Sequence, residues 1–224
     1  MSALKTLWRN NKGFLLFVSL MFVFRSAVAD WNYIPSSSMN PTLISGDRVI
    51  VNKLAYSLRV PFTLHELARW GSPQPGDVIT FDSPKDEVNL IKRVIAVEGY
   101  VVQMQDNTII VNGKRMERLL VDESRLVPTE AAPLAVQVWS EQVNGKKIEV
   151  ARMVERNVNR DFDAIQVPPG HLLVLGDSRD NSNDSRFIGF IDVQRVTGQA
   201  TRVAVSHNPN MLYLPRKERL WLPL

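Results

Sequence analysis

Between residues 48 and 176 the chain keeps returning to one kind of segment, a short run rich in Val, Ile and Thr that ends at Gly, Pro, Asn or Asp. RVIVNKLAY (48–56), DVITF (77–81), NLIKRVIAV (89–97), VVQMQ (101–105), TIIVNG (108–113) and HLLVLG (171–176) all have this form. Runs this short and this β-branched read as strands, because a branched Cβ packs well on a pleated surface and is stiff at χ1. Asp106-Asn107 reads as a tight hairpin, while Pro73, Pro75, Gly76 and Pro168, Pro169, Gly170 punctuate the ends of other elements. The part of the chain after residue 31 is therefore expected to be mainly β, an antiparallel sheet. One short helix is expected at 64–70, where Thr63 and Glu66 have capping-box spacing and Gly71 follows Trp70 as a stop. From 101 to 165 the sequence turns more polar, with ERLLVDESRLVPTEAAP and EQVNGKKIEV, and reads as a β-rich insertion into a core of residues 32–100 and 166–206. The tail, 207–224, ends in LPRKERLWLPL, a mixture of basic and apolar residues read as a solvated end.

The first thirty residues pose a different problem. Lys5, Arg9, Lys12 and Arg25 precede the first acid, Asp30, and Phe14–Phe24 is apolar except for Ser19. Those eleven residues would span about 16 Å as a helix, short of a hydrocarbon core of about 30 Å. Taking 13–31 supplies the length if Arg25 snorkels to the far headgroups, leaving 1–12 cytoplasmic and the rest exported. A cleavable secretory signal is the competing reading, since Ala27-Val28-Ala29 before Asp30 has the form of a small-residue cleavage site.

Composition removes whole classes of chemistry. There is no cysteine, so thiol catalysis, disulfides and cysteine zinc sites are out. His65, His171 and His207 are far apart and none lies in an HExxH pattern, so no metal and no cofactor are expected. The net charge of +4 is modest and its basic residues are scattered, which argues against nucleic acid as a partner.

Three places stand out as carriers of chemistry. In NLIKRVIAV, period two puts Leu90, Lys92, Val94 and Ala96 on one face and Ile91, Arg93, Ile95 and Val97 on the other. A lysine on an apolar face either snorkels to solvent or is desolvated, and desolvation favours the neutral amine, a base. Arginine stays protonated, so Arg93 is read as an ion-pair partner. The second place is GDSRDNSNDSRFIGF (176–190), crowded with Asp, Arg and Ser. As a calcium loop it fails, because Ser185 would stand where the turn needs glycine. Gly176-Asp177-Ser178 resembles the nucleophile turn of chymotrypsin-like proteases, but Arg179 follows where glycine is needed and no histidine has a suitable context. The third is IPSSSMNPTL (34–43), three serines between two prolines with no histidine nearby, and the residues alone leave open which serine matters.

In chain order, an apolar N-terminus, PSSSMNPTL, GDRVIV, GDVITF, IKRVIAVEG and GDSRDNSNDSRFIGF resemble the bacterial type I signal peptidases, membrane-anchored Ser-Lys proteases that remove signal peptides. The resemblance covers most of the chain. It implies Ser38 as nucleophile, directly before Met39, and Lys92 as general base, in agreement with the face analysis. It further implies Ser36 as an oxyanion hydroxyl beside the backbone N–H of Ser38, and Ser182 as a hydrogen-bonding partner that orients the lysine. Asp177, Asp184 and Arg186 match charged positions that brace the site, with Arg93 paired to one of the aspartates. Ile34, Met39, Leu43, Thr80 and Ile91 match the walls of small-residue pockets that favour Ala at the first and third positions before the cut. Ser37 stands where many relatives have glycine. The implied partners are preprotein signal peptides, the lipid bilayer and the secretion machinery. The implied location is the bacterial inner membrane, single-pass, with the catalytic domain on the outer side. That decides the N-terminus for a transmembrane anchor over residues 13–31. Two other readings are a peptidase dedicated to conjugation or pilus precursors, which shares the same motifs, and a non-enzymatic exported β-protein in which the serines merely form turns.

Overall fold

The computed structural model describes residues 2–63, 65–129, 132–154, 160–208 and 213–224, with side chains from residue 11 onward. One nine-stranded antiparallel sheet organises the molecule. Its strands are β1 (Ala29–Tyr33), β2 (Asp47–Asn52), β5 (Val78–Asp82), β6 (Asn89–Val97), β14 (His171–Leu175), β15 (Ile191–Asp192) and β16 (Val196–Asn208), with β17 (Leu214–Pro215) and β18 (Leu222–Pro223). The order across it is β1-β2-β16-β5-β6-β14-β15, and β17 and β18 both pair with β16. The run NLIKRVIAV becomes β6 without a residue added or lost, and it sits in the interior of the sheet between β5 and β14. Apolar residues on both faces are the signature of such a doubly covered strand.

Residues 101–166 supply two smaller sheets. β7 (Val101–Gln105), β8 (Thr108–Val111), β9 (Lys114–Arg115) and β13 (Phe162–Gln166) make one in the order β13-β7-β8-β9. β10 (Arg118–Val127), β11 (Leu134–Val143) and β12 (Lys146–Met153) make the other in chain order. Asp106 and Asn107 turn between β7 and β8 with φ of 50° and 55°, left-handed values that Asp and Asn tolerate better than most residues. One apolar cluster joins all three sheets: Ile95, Ala96, Leu173 and Leu175 pack with Val102, Met104, Ile109, Val143, Ile148 and Val150.

Three expectations need correction. The segment at 64–70 is not a helix: Glu66–Arg69 is strand β4, paired antiparallel with β3 (Ser57–Arg59), and Leu64 lies outside the described residues. Thr63 accepts from His65 N–H rather than capping a helix, Trp70 N–H and Gly71 N–H both donate to Tyr56 O, and cross-strand pairing overrides a weak local signal. The tail is not a solvated end. Arg219 grips the fully buried Asp47 at 2.6 and 3.0 Å, and Leu222 and Leu224 pack on the cluster around Met39 and Leu43.

The N-terminus also departs from the expected span over 13–31. Helix α1 runs Ser2–Ala27, and Ala29–Tyr33 has already become β1, in register with β2 from Ala29↔Asn52 to Tyr33↔Arg48. Among the described residues no helix is long and apolar enough to cross a membrane. The physical reasons are plain: Lys5, Arg9, Lys12 and Arg25 confine the apolar run to Phe14–Phe24, and residues 29–33 satisfy their backbone groups in a sheet.

Candidate active site

The segment 34–47 is a closed loop whose base is tied by Ile34 N–H to Asp47 O (2.8 Å) and Gly46 N–H to Ile34 O (3.0 Å). Within it Asn40 N–H donates to Ser37 O and Leu43 N–H to Met39 O, a tight winding that sends Met39 and Leu43 fully into the core. Ser38 is thereby turned the other way. Its Oγ lies 2.8 Å from Lys92 Nζ, across 54 residues of sequence. Ser36 Oγ stands 3.3 Å from Ser38 Oγ.

Lys92 is 2% exposed and does not snorkel. Burial strips hydration from its ammonium and pushes it down from 10.5 to about 8, although the carboxylates of Asp184 and Asp177 pull partly the other way. A second bond, from Nζ to Ile91 O at 2.8 Å, fixes the end of the side chain. No bond joins Lys92 to Ser182, whose Oγ is buried and without a hydrogen-bond partner. The orienting bond expected from Ser182 is thus taken by the Ile91 carbonyl.

The 176–186 loop is folded around its own charges. Arg93 and Asp177 form a two-pronged pair at 2.8 and 2.7 Å, with both side chains almost closed to solvent. Arg93 Nη1 also donates to Gly76 O at 2.9 Å, and Nη2 to Thr42 Oγ1 at 3.4 Å. Asp184 caps α2 (Ser185–Ile188), accepts from Gly176 N–H at 2.9 Å, and holds Arg186 through both oxygens at 2.8 and 2.7 Å. Ser178 does not act beside a histidine here: its N–H donates to Ser38 O at 3.1 Å. His65 and His171 instead line a separate cleft of about 650 Å³ with Arg59, Arg69, Glu98 and Asp192. Among the described residues no cluster of His, Cys, Asp or Glu has the makings of a metal site.

Ile34, Met39 and Leu43 are core residues of one cluster with Val49, Val51 and Val78, and Ile91 packs against it. Thr80 faces Ile91 across β5 and β6, buried, and accepts from the Thr197 hydroxyl at 2.8 Å. Three of the five wall candidates are thus core residues of the nucleophile loop itself, Ile91 packs against them, and Thr80 is the cross-strand neighbour of Ile91. Sequence reasoning missed other residues. Gly176 allows close approach: a Cβ there would come within 2.5 Å of Ser38 O and nearer still to Ser182 Oγ. Asn181 Nδ2 donates to Ser37 Oγ at 2.9 Å, and Arg179 pairs with Glu141 at 2.6 Å in a buried contact. Gly176 was legible as the glycine ending a strand before a polar loop, whereas nothing in LAVQVWSEQV singled out Glu141.

Residues 7–205 match the family described as signal peptidase, peptidase S26. The chain belongs to that family. Every site residue named above falls inside the matched stretch, while β17, β18 and Arg219 lie beyond it. Among the relatives within the family, signal peptidase I of Pseudomonas fluorescens is 32% identical over 95% of this chain and 78% of its own length. Signal peptidase I of Aquifex aeolicus is 31% identical over 84% of this chain and 79% of its own. A solved signal peptidase I from Enterococcus faecalis shares 27% identity with a TM-score of 0.36, covering 58% of this chain and 97% of that one.

Proposed function

We propose that the chain is a type I signal peptidase, a serine endopeptidase that cuts signal peptides from exported preproteins, with Ser38 as nucleophile and Lys92 as general base. The observation that carries this reading is the 2.8 Å contact between Ser38 Oγ and a lysine depressed to about 8. An alkyl hydroxyl needs a base to be nucleophilic at neutral pH, and only the unprotonated amine can accept its proton. In the reaction that follows, Lys92 Nζ takes the Ser38 proton as Oγ bonds to the scissile carbonyl carbon. The resulting oxyanion is met by the Ser38 N–H and the Ser36 hydroxyl, one such donor being worth about 10² to 10³ in rate. The lysinium returns the proton to the leaving amine, the C–N bond breaks, and the signal peptide remains as an ester on Ser38. Water then loses a proton to Lys92, attacks the ester and regenerates the serine.

Ile91 is assigned to a shallow wall that admits only small side chains, which favours Ala-x-Ala sites, with Ile34, Met39 and Leu43 packed behind it and Thr80 beside it across the sheet. Asp177 with Arg93, and Asp184 with Arg186, brace the loop that touches Ser38; Ser182 sits within that loop. We assign α1 to the bilayer of the inner membrane, with the catalytic domain on its outer side. Its run from Phe14 to Phe24 exposes Phe14, Leu16, Phe17, Leu20 and Phe24 to half or more, apolar surface that a bilayer would cover. Ser38 lies only eight positions after Asp30, so tethering would keep the nucleophile at the membrane surface where substrates are tethered too.

The test is processing of a preprotein with an Ala-x-Ala site by detergent-solubilised protein. Ser38→Ala should abolish cleavage, Ser36→Ala should lose about 10² to 10³ in kcat, and Ser37→Ala should retain most activity. A dead Ser37→Ala beside an active Ser38→Ala would place the nucleophile one residue earlier.

A further inference from the structure

The sheet β10-β11-β12 touches the site at two points. Its outer strand β12 runs beside residues 177–179: Ala151 N–H donates to Asp177 O at 2.8 Å and Arg179 N–H donates to Ala151 O at 2.9 Å, a parallel bridge centred on Ser178. Farther along, Met153 N–H donates to Asp180 Oδ2 at 3.0 Å. From β11, Glu141 Oε1 accepts from Arg179 at 3.0 Å, and both side chains are closed to solvent. At the end of β10, Pro128 O accepts from Asn40 Nδ2 at 2.9 Å, and Asn40 is itself only 1% exposed.

Two of these contacts lead to Ser38 through neighbouring residues. Ser178, whose N–H holds Ser38 O at 3.1 Å, is the residue between the two bridged to Ala151. Asn40 lies two residues after Ser38 and closes its turn through N–H to Ser37 O. A buried Arg–Glu pair often adds no more stability than an apolar pair of equal volume, but the charge-assisted bond from Arg179 Nη1 to Glu141 Oε1 fixes direction as a greasy contact does not.

We propose that the β10-β12 sheet is a positioning platform for the nucleophile, with Glu141, acting through Arg179, and Asn40, acting through Pro128, as positioning residues that hold Ser38 Oγ in register with Lys92. This rests on the reading of Ser38 and Lys92 as the reacting pair. Neither Glu141 nor Asn40 touches a reacting atom, so what they supply is geometry, and a misplacement of about 1 Å can cost about 10²-fold in rate. Lys92 is held by β6 and the Ile91 carbonyl, but its Nζ also meets Ser38 Oγ and its charge feels Asp177 and Asp184, so the platform is read from kcat against KM and not from the ionisation of Lys92.

The experiment measures kcat and KM of the full chain on an Ala-x-Ala preprotein between pH 6 and 10, for the parent, Glu141→Gln, Asn40→Ala, Glu149→Gln and Ser38→Ala. At a temperature where circular dichroism shows them folded, Glu141→Gln and Asn40→Ala should each lower kcat by about tenfold to a hundredfold. KM should stay within about twofold. Glu149→Gln, which disturbs the part-exposed Arg125 pair on the same sheet, should match the parent. If Glu141→Gln does not fold, Asn40→Ala decides. Parental kcat in the folded variants, or a loss confined to KM, overturns the platform. Ser38→Ala separates the two ideas: activity there sinks the catalytic reading, whereas an inactive Ser38→Ala beside parental Glu141→Gln and Asn40→Ala sinks only the platform.

Discussion

A buried lysine is the residue-scale feature on which the chemistry turns. Its depression from 10.5 to about 8 corresponds to roughly 3 kcal/mol of disfavoured charge. The sign of the linkage follows. Below about pH 8 the folded and unfolded chains both carry the ammonium, and its burial cost is present in full; between 8 and 10.5 the folded state sheds the proton first and the cost is relieved. Activity should therefore rise with pH through one ionisation near 8, as the amine becomes able to accept the serine proton. Lys92→Arg should be inactive at every pH, since guanidinium does not accept a proton in this range. Lys92→Met should also be inactive yet melt at a higher temperature than the parent at pH 6, the signature of a site held at the expense of stability. Calorimetry and the pH profile of kcat/KM check both halves, and a Lys92→Met that melts lower at pH 6 would contradict the burial argument.

At the scale of elements, the site is a meeting of three: the loop 34–47, the interior strand β6 and the loop that follows β14. Strand β6 presents Lys92 and Arg93 in succession, which period two sends to opposite faces, one to Ser38 and the other to Asp177. The loops come close together at Gly176, where a Cβ would collide with the carbonyl of Ser38 and the side chain of Ser182. Backbone cannot yield there as a flexible side chain would. Gly176→Ala should therefore displace Ser38 and cut kcat by about 10² or more, while leaving the strands of the main sheet formed. Turnover at the parental rate with unchanged far-ultraviolet dichroism would show that the loops have slack that the packing denies.

Over the whole molecule, the ends of the chain are drawn into the same architecture. β1 pairs with β2 directly after α1, and β17 and β18 return the C-terminus to β16. Arg219 closes this arrangement by donating to Thr42 O at 2.8 Å and to both oxygens of Asp47, whose carboxylate has no access to solvent. Removing one partner of such a pair leaves a buried charge uncompensated and costs about 3–5 kcal/mol. Arg219→Ala should lower the melting temperature accordingly at neutral pH. An unchanged melting curve would mean that the tail is held by its strands alone.

What could be read from the residues in order was whatever depends on local period and chemistry. NLIKRVIAV announced a strand with one cation on each apolar face because alternation and β-branching are properties of nine consecutive residues, while the choice between a snorkelling and a desolvated Lys92 waited on its burial in the folded chain. Asp106-Asn107 announced its hairpin through tolerance of left-handed φ. The motif order supported the pairing of Ser38 with Lys92, and the 2.8 Å contact agrees with it. The failures were of a different kind. Residues 64–70 had a cap and a stop, but β3 offered cross-strand bonds that outweighed them. The tail looked solvated because nothing near it in sequence reveals that Asp47 waits 172 residues away. Glu141, Asn40 and Ser178 gained their positions only when a distant sheet was laid against the two loops. Local conformational preference is written in neighbours along the chain, but the partner of a buried charge or an unpaired amide is chosen by packing, and packing exists only once the whole chain has folded.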